Sequence, residues 1–151
     1  MTVRLEEAPF DPGAETNAFL AQSAGAGAAV TFTGLVRSAP DDPVTTLTLE
    51  CYVELAEAQI AAMVAEATTR FDLMRAVVIH RYGTLAAGEP IVQVMTLAPH
   101  REAAFKGAEF LMDYLKTDAP FWKKEATPEG ERWVDARAED DEAKERWSTN
   151  G

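Results

Sequence analysis

The chain has 151 residues, 47% hydrophobic and 26% charged, which suits one globular domain over 1–151 that needs no covalent or metal staple. Its one cysteine, Cys51, excludes an internal disulfide, no apolar run approaches the roughly 18 residues of a membrane span, and the opening residues lack the form of a secretory signal, so a cytoplasmic protein is expected. A net charge of −11, from 14 Lys and Arg against 25 Asp and Glu, repels polyanions and excludes general binding to nucleic acid or to an anionic membrane.

The first ten residues alternate weakly at Val3 and Leu5, which predicts an edge strand. Asp11-Pro12 is a helix start, with Pro at the first helical position, and the short helix is expected to end near Gly25. Residues 27–37 alternate and predict a strand with Ala28, Val30, Phe32, Gly34 and Val36 on one face. Residues 38–43 are a loop by their Pro and Asp content. A second strand is predicted over 45–52, with Leu47, Leu49 and Cys51 on its apolar face. Cys51 is there expected to be a buried, inert thiol.

The clearest helix spans 54–71. Ala56, Ile60, Met63, Val64, Ala67 and Phe71 form one apolar stripe along it. A strand over 75–82 and another over 91–97 are expected to pair as a hairpin, with a turn punctuated by Gly83 and Gly88. A second long helix runs over 101–116, with Ala104, Ala108, Leu111, Met112 and Leu115 facing inward and Pro120 stopping the chain beyond it. Residues 121–126 and 131–135 predict a strand pair joined by a β-turn at Thr127-Pro128-Glu129-Gly130. Residues 139–147 suggest a short acidic helix. Helices and strands mix without strict β-α-β alternation, so the class is α+β.

Several familiar chemistries are missing. The glycines at 25 and 27 precede a strand instead of following one, so no dinucleotide fingerprint is indicated. Gly83 and Gly88 are followed by Glu89-Pro90 where a phosphate-binding loop needs Lys and Ser or Thr. No Ser sits in a nucleophile elbow. Cys51, His80 and His100 have no metal-ligand spacing. Neither a metal site nor a cofactor is indicated.

The bases of this acidic chain are therefore the informative residues. His100-Arg101 stand where a strand meets a helix, whose unpaired N–H groups add partial positive charge. The pair is a candidate anion site or an ordinary solvated helix end. His80-Arg81 repeats the dipeptide within a strand, where a structural role is favoured. Lys116 and Lys123 flank a turn at Pro120 beside aromatic residues, which can bring both to one pocket edge. A lysine crowded by aromatic rings and other cations is a candidate acid/base or nucleophile, and spacing alone leaves solvated decoration equally open. Arg37 ends the strand containing Gly34 and is either an anion clamp or a surface residue.

Three segments carry a resemblance. They are Thr31-Phe32-Thr33-Gly34-Leu35-Val36-Arg37, Pro99-His100-Arg101, and Met112-Asp113-Tyr114-Leu115-Lys116-Thr117-Asp118-Ala119-Pro120-Phe121-Trp122-Lys123-Lys124-Glu125. Ile79-His80-Arg81-Tyr82-Gly83 and the stretch from Ala126 to Val134 extend it. In order and over nearly the whole chain, the sequence resembles the large, catalytic subunit of molybdopterin synthase. The resemblance implies an α/β hammerhead-like fold with an additional antiparallel β subdomain.

It also implies a sulfurtransferase that converts cyclic pyranopterin monophosphate to molybdopterin. Sulfur would come from the C-terminal Gly-Gly thiocarboxylate of a small ubiquitin-like carrier subunit, in a heterotetramer built on a central homodimer. Lys116 and Lys123 match the family's two essential lysines. Arg37, His100 and Arg101 match its anion-binding residues, and Leu35 and Val36 lie beside Arg37 in the same stretch. Lys124 and Glu125 fall in the substrate-binding stretch, and Arg137 matches an arginine near the site. The rival reading is a non-catalytic module that holds an acidic protein tail in the same pocket.

Overall fold

A computed structural model describes residues 2–21, 23–134 and 147 of the chain. Two four-stranded sheets organise it. The first has the order β1-β4-β6-β2, from β1 (Val3–Glu6), β4 (Arg75–Arg81), β6 (Pro90–Ala98) and β2 (Ala28–Leu35). Its β1–β4 pair is parallel and its other pairs are antiparallel. The second, entirely antiparallel, has the order β5-β3-β7-β8, from β5 (Gly83–Ala86), β3 (Thr46–Glu50), β7 (Trp122–Thr127) and β8 (Gly130–Val134). The class is α+β, with the added antiparallel sheet that the resemblance implies.

Among the described residues, three helices cover the first sheet. α1 (Pro12–Leu20) begins as expected, with Asp11 accepting from the Gly13 and Ala14 backbone N–H groups and Pro12 at its first position. It ends at Leu20, short of Gly25, and buries Phe19 against Ile79, Met95 and Leu97 on one face of the sheet. α2 (Val53–Arg70) and α3 (Arg101–Thr117) pack on the opposite face. Ala56, Ile60, Val64 and Ala67 of the α2 stripe are buried, as are Ala104, Ala108, Leu111 and Leu115 of α3. Apolar side chains at these helical spacings face one direction, and the sheet removes them from water.

The expected pairing of the strands at 75–82 and 91–97 is present, with β4 antiparallel to β6. The segment between them is not a simple turn. Gly83 takes φ +88, a region open to glycine at little cost. The chain leaves the first sheet there and pairs as β5 with β3 of the second. Val36, Leu49 and Leu85 form a small core at this junction, with Leu47, Tyr82, Ile91 and Phe121 packed on it.

A further expectation is corrected. β3 ends at Glu50, so Cys51 lies beyond the strand and is half-buried, although burial does push its thiol pKa up. Phe32, on the face of β2 that carries Val30 and Gly34, is 41% exposed. Most of the acidic segment expected over 139–147 lies outside the described residues. Trp147 is described: its indole N–H donates to Asp113 at 2.6 Å, and its ring meets Phe71 and Phe110 edge-on.

Candidate active site

A cavity of about 630 Å³ opens where the two sheets meet. One bank is the end of β2 and the residues after it, from Phe32 to Arg37. The opposite bank is the C-terminal end of α3 with Leu115, Lys116 and Thr117, followed by Ala119 and Phe121, then Lys123 and Glu125 of β7. The loop carrying Asp41 and Asp42 borders the opening. That loop is tightly closed: Ala39 and Asp42 exchange backbone hydrogen bonds, and the Ser38 hydroxyl accepts from the Val44 N–H.

The arrangement follows from local rules. Lys116 stands in the last turn of α3, where a cation complements the helix dipole. The helix stops at Asp118, whose N–H donates to the Tyr114 carbonyl, and Pro120 lacks the N–H to continue it. The chain then reverses into β7. Side chains alternate along a strand, so Lys123 and Glu125 face the cavity while Trp122 and Lys124 face away.

On the other bank, the Val36 N–H donates to the Glu89 carbonyl and the Gly88 N–H donates to that of Val36. This ladder holds the residue before Arg37. The Glu89 carboxylate is in turn paired with buried Arg81 at 2.9 Å, which holds its pKa below the usual carboxylate value.

Of the expected site residues, Leu35, Val36, Arg37, Lys116, Lys123 and Glu125 line this one cavity. Lys124 does not. It lies on the outer face of the second sheet, 3.5 Å from Glu131 and with its ammonium 5.5 Å from the Trp133 ring. The period-two alternation of β7 is the reason, and it was readable beforehand.

His100 and Arg101 do not reach the cavity either. Arg101 opens α3 and Lys116 stands in its last turn, so a rise of 1.5 Å per residue separates them by about 22 Å. Both are exposed at the far end of the helix. Their placement depends on Gly27, where a Cβ would stand 2.1 Å from the Pro99 carbonyl oxygen. Arg137 lies outside the described residues.

The cavity carries both signs of charge. Arg37, Lys116 and Lys123 are set against Asp41, Asp42 and Glu125. Arg132, which sequence reasoning passed over, contacts Asp42 at 2.7 Å and Glu125 at 3.0 Å. Two of the three carboxylates are thus engaged by one guanidinium. Among the described residues, no three His, Cys, Asp or Glu side chains converge as a metal site.

His80 lies beneath the second bank. It is buried, and its ring stacks on Phe121 with centroids 4.2 Å apart and planes 15° from parallel. Its Nδ1–H donates to the Arg81 carbonyl at 2.8 Å. Burial lowers its pKa from 6.5 to about 4; the Arg81 carbonyl opposes the shift, and the Lys123 and Lys116 charges assist it.

The unfolded chain therefore binds a proton that the folded chain refuses between those values. Stability from neutral His80 is complete above pH 6.5 and is lost as pH falls toward 4. The loss amounts to about 3 kcal/mol. Urea unfolding followed across this window should show it, and His80→Phe should flatten the slope. An unchanged slope in that variant would assign the acid sensitivity elsewhere.

Comparison with known proteins converges on one family. A family profile described as "MoaE protein" matches residues 5–118. The molybdopterin synthase catalytic subunit of Pseudomonas aeruginosa is 49% identical over 148 residues, covering 97% of this chain and 99% of that protein. The protein of the same name from Escherichia coli K12 is 51% identical over 140 residues, covering 92% and 93%. Among solved structures, a molybdopterin biosynthesis MoaE protein from Burkholderia ambifaria superposes with a TM-score of 0.82 at 46% identity, covering 97% of each chain.

Proposed function

Since the chain belongs to the MoaE protein family, we propose that it is the catalytic subunit of a molybdopterin synthase. It takes sulfur from the C-terminal thiocarboxylate of a small ubiquitin-like carrier and installs it on cyclic pyranopterin monophosphate, building the dithiolene of molybdopterin. The observation that carries this reading is the shared cavity of Arg37, Lys116 and Lys123. The substrate brings a phosphate, the donor brings a thiocarboxylate, and sulfur transfer develops further negative charge. Cations already fixed around one cavity stabilise all three without reorganising during the reaction.

The roles divide by position. Arg37, on the β2 bank, binds an anionic group of the substrate or the donor. Lys116 and Lys123 flank the reacting centre. One lysine meets the developing charge or carries the acyl group, and the other supplies a proton. Leu35 and Phe32, exposed at the mouth, give apolar surface to the pterin and to the incoming tail. The relatives are named as subunits, and the companion subunit here is the sulfur carrier.

His100-Arg101 acts in the cavity of a second copy. A single small pterin cannot span the length of α3, so the two basic loci of one chain cannot grip one molecule. A central homodimer that sets the start of α3 from one copy beside the cavity of the other brings them together. Arg137, outside the described residues, is joined to this set on the resemblance alone.

The test is reconstitution. The purified chain, a thiocarboxylated carrier and the cyclic pterin phosphate should yield molybdopterin. Carrier-tail binding with no product under those conditions would replace the enzyme reading with that of a binding module.

A further inference from the structure

We infer that His80 is a positioning residue of the active site: its ring, stacked on Phe121, fixes the turn that sets Lys123 across the cavity from Lys116. The inference rests on the reading of the two lysines as catalytic. The turn between them is anchored by side-chain packing, with Ala119 and Phe121 both set against the main core. Its backbone bonds are local: Asp118 and Ala119 N–H groups donate to Tyr114, and the Phe121 N–H donates to Ala119. Pro120 has no N–H to offer. Phe121 ties the end of the turn to the body of the protein. It packs on the junction core of Val36, Leu49 and Leu85 and stacks on His80.

His80 is suited to the task. It sits on β4, an interior strand of the first sheet, paired with Leu5 on one side and Val92 on the other. The bond from Nδ1–H to the Arg81 carbonyl fixes the rotation of the ring. Burial keeps the imidazole neutral at ordinary pH, so it adds no third cation beneath the lysines. A group held this firmly beneath Phe121 sets where β7 begins, and Lys123, laddered to Leu49 and Val134, follows Phe121 by two. Misplacing a reacting group by about 1 Å can cost on the order of 100-fold in rate.

The experiment compares His80→Ala and His80→Phe with the parent chain in the reconstituted assay, with thermal unfolding measured alongside. His80→Ala removes the stack and should lower kcat at least about tenfold, with KM for the pterin little changed. His80→Phe restores a flat ring and should keep kcat within about threefold of the parent. Wild-type kcat in His80→Ala would overturn the inference. So would an equal loss in both variants, which would assign the role to the imidazole nitrogens.

Lys116→Ala, run in parallel, separates the two levels. If it retains the parent rate, the reading of the lysines fails. If it is inactive while His80→Ala is fully active, only the His80 inference fails. Should His80→Ala not fold, Phe121→Leu breaks the same stack from the other side. It should show the same loss of kcat, and an unchanged kcat would sink the inference.

Discussion

Replacing Lys116 or Lys123 by alanine is expected to lower molybdopterin formation by roughly two to three orders of magnitude, with the fold retained. Both side chains line the same cavity, and each variant removes a preorganised cation from the place where charge develops. Stability should change little. Lys116 is exposed on the last turn of α3, so its loss forfeits a favourable dipole interaction of about 0.3–1 kcal/mol. Lys123 is half-buried on β7, and alanine there leaves the backbone ladder to β3 and β8 unchanged. Single-turnover assays with a pre-charged carrier measure the chemical step directly, and thermal unfolding checks the fold. Normal rates in both variants would remove the lysines from the mechanism.

The second large effect is expected from mixing two inactive variants. Arg101→Ala should be inactive although Arg101 lies about 22 Å along α3 from Lys116. Co-expressed with Lys116→Ala, it should recover about one quarter of the parent activity. Random pairing makes about half of the dimers mixed, and a mixed dimer holds one cavity with both lesions and one with neither. If Arg101 served the cavity of its own chain, every cavity would carry a lesion and no activity would return. The recovered fraction therefore reports which copy supplies the residue. No recovery, with mixed dimers demonstrated, would overturn the assignment of His100-Arg101 to the neighbouring cavity.

Much of the fold was legible because its signals are local. The stripes on α2 and α3 repeat at helical spacing, and the residues in them are those that the first sheet buries. Asp11-Pro12 caps α1 as its chemistry requires, and Thr127-Pro128-Glu129-Gly130 turns β7 into β8, with Gly130 at φ +128. β5 was missed because it is only four residues long and follows a glycine, so it carries the composition of a turn. It becomes a strand because β3 offers it a partner. The exposure of Phe32 was likewise out of reach of local signals. Alternation assigns a face, but only the placement of the second sheet decides that Phe32 lines a cavity.

The candidate site divides in the same way. Residue types, their order and the clustering of cations in an acidic chain were determined by the sequence alone, and so was the family to which the pattern belongs. The alternation that turns Lys124 away from Lys123 was also present in the sequence. Tertiary structure decided which bases share a cavity. Arg37 meets Lys116 and Lys123 because β2 and α3 belong to the first sheet layer while β7 pairs with β3 in the second. It also placed His80 beneath Phe121 and set Arg132 between Asp42 and Glu125. Arg132 meets Glu125 across the β7–β8 hairpin, but His80 with Phe121 and Arg132 with Asp42 join residues 41 and 90 positions apart, where no local periodicity acts and only tertiary packing brings the side chains together.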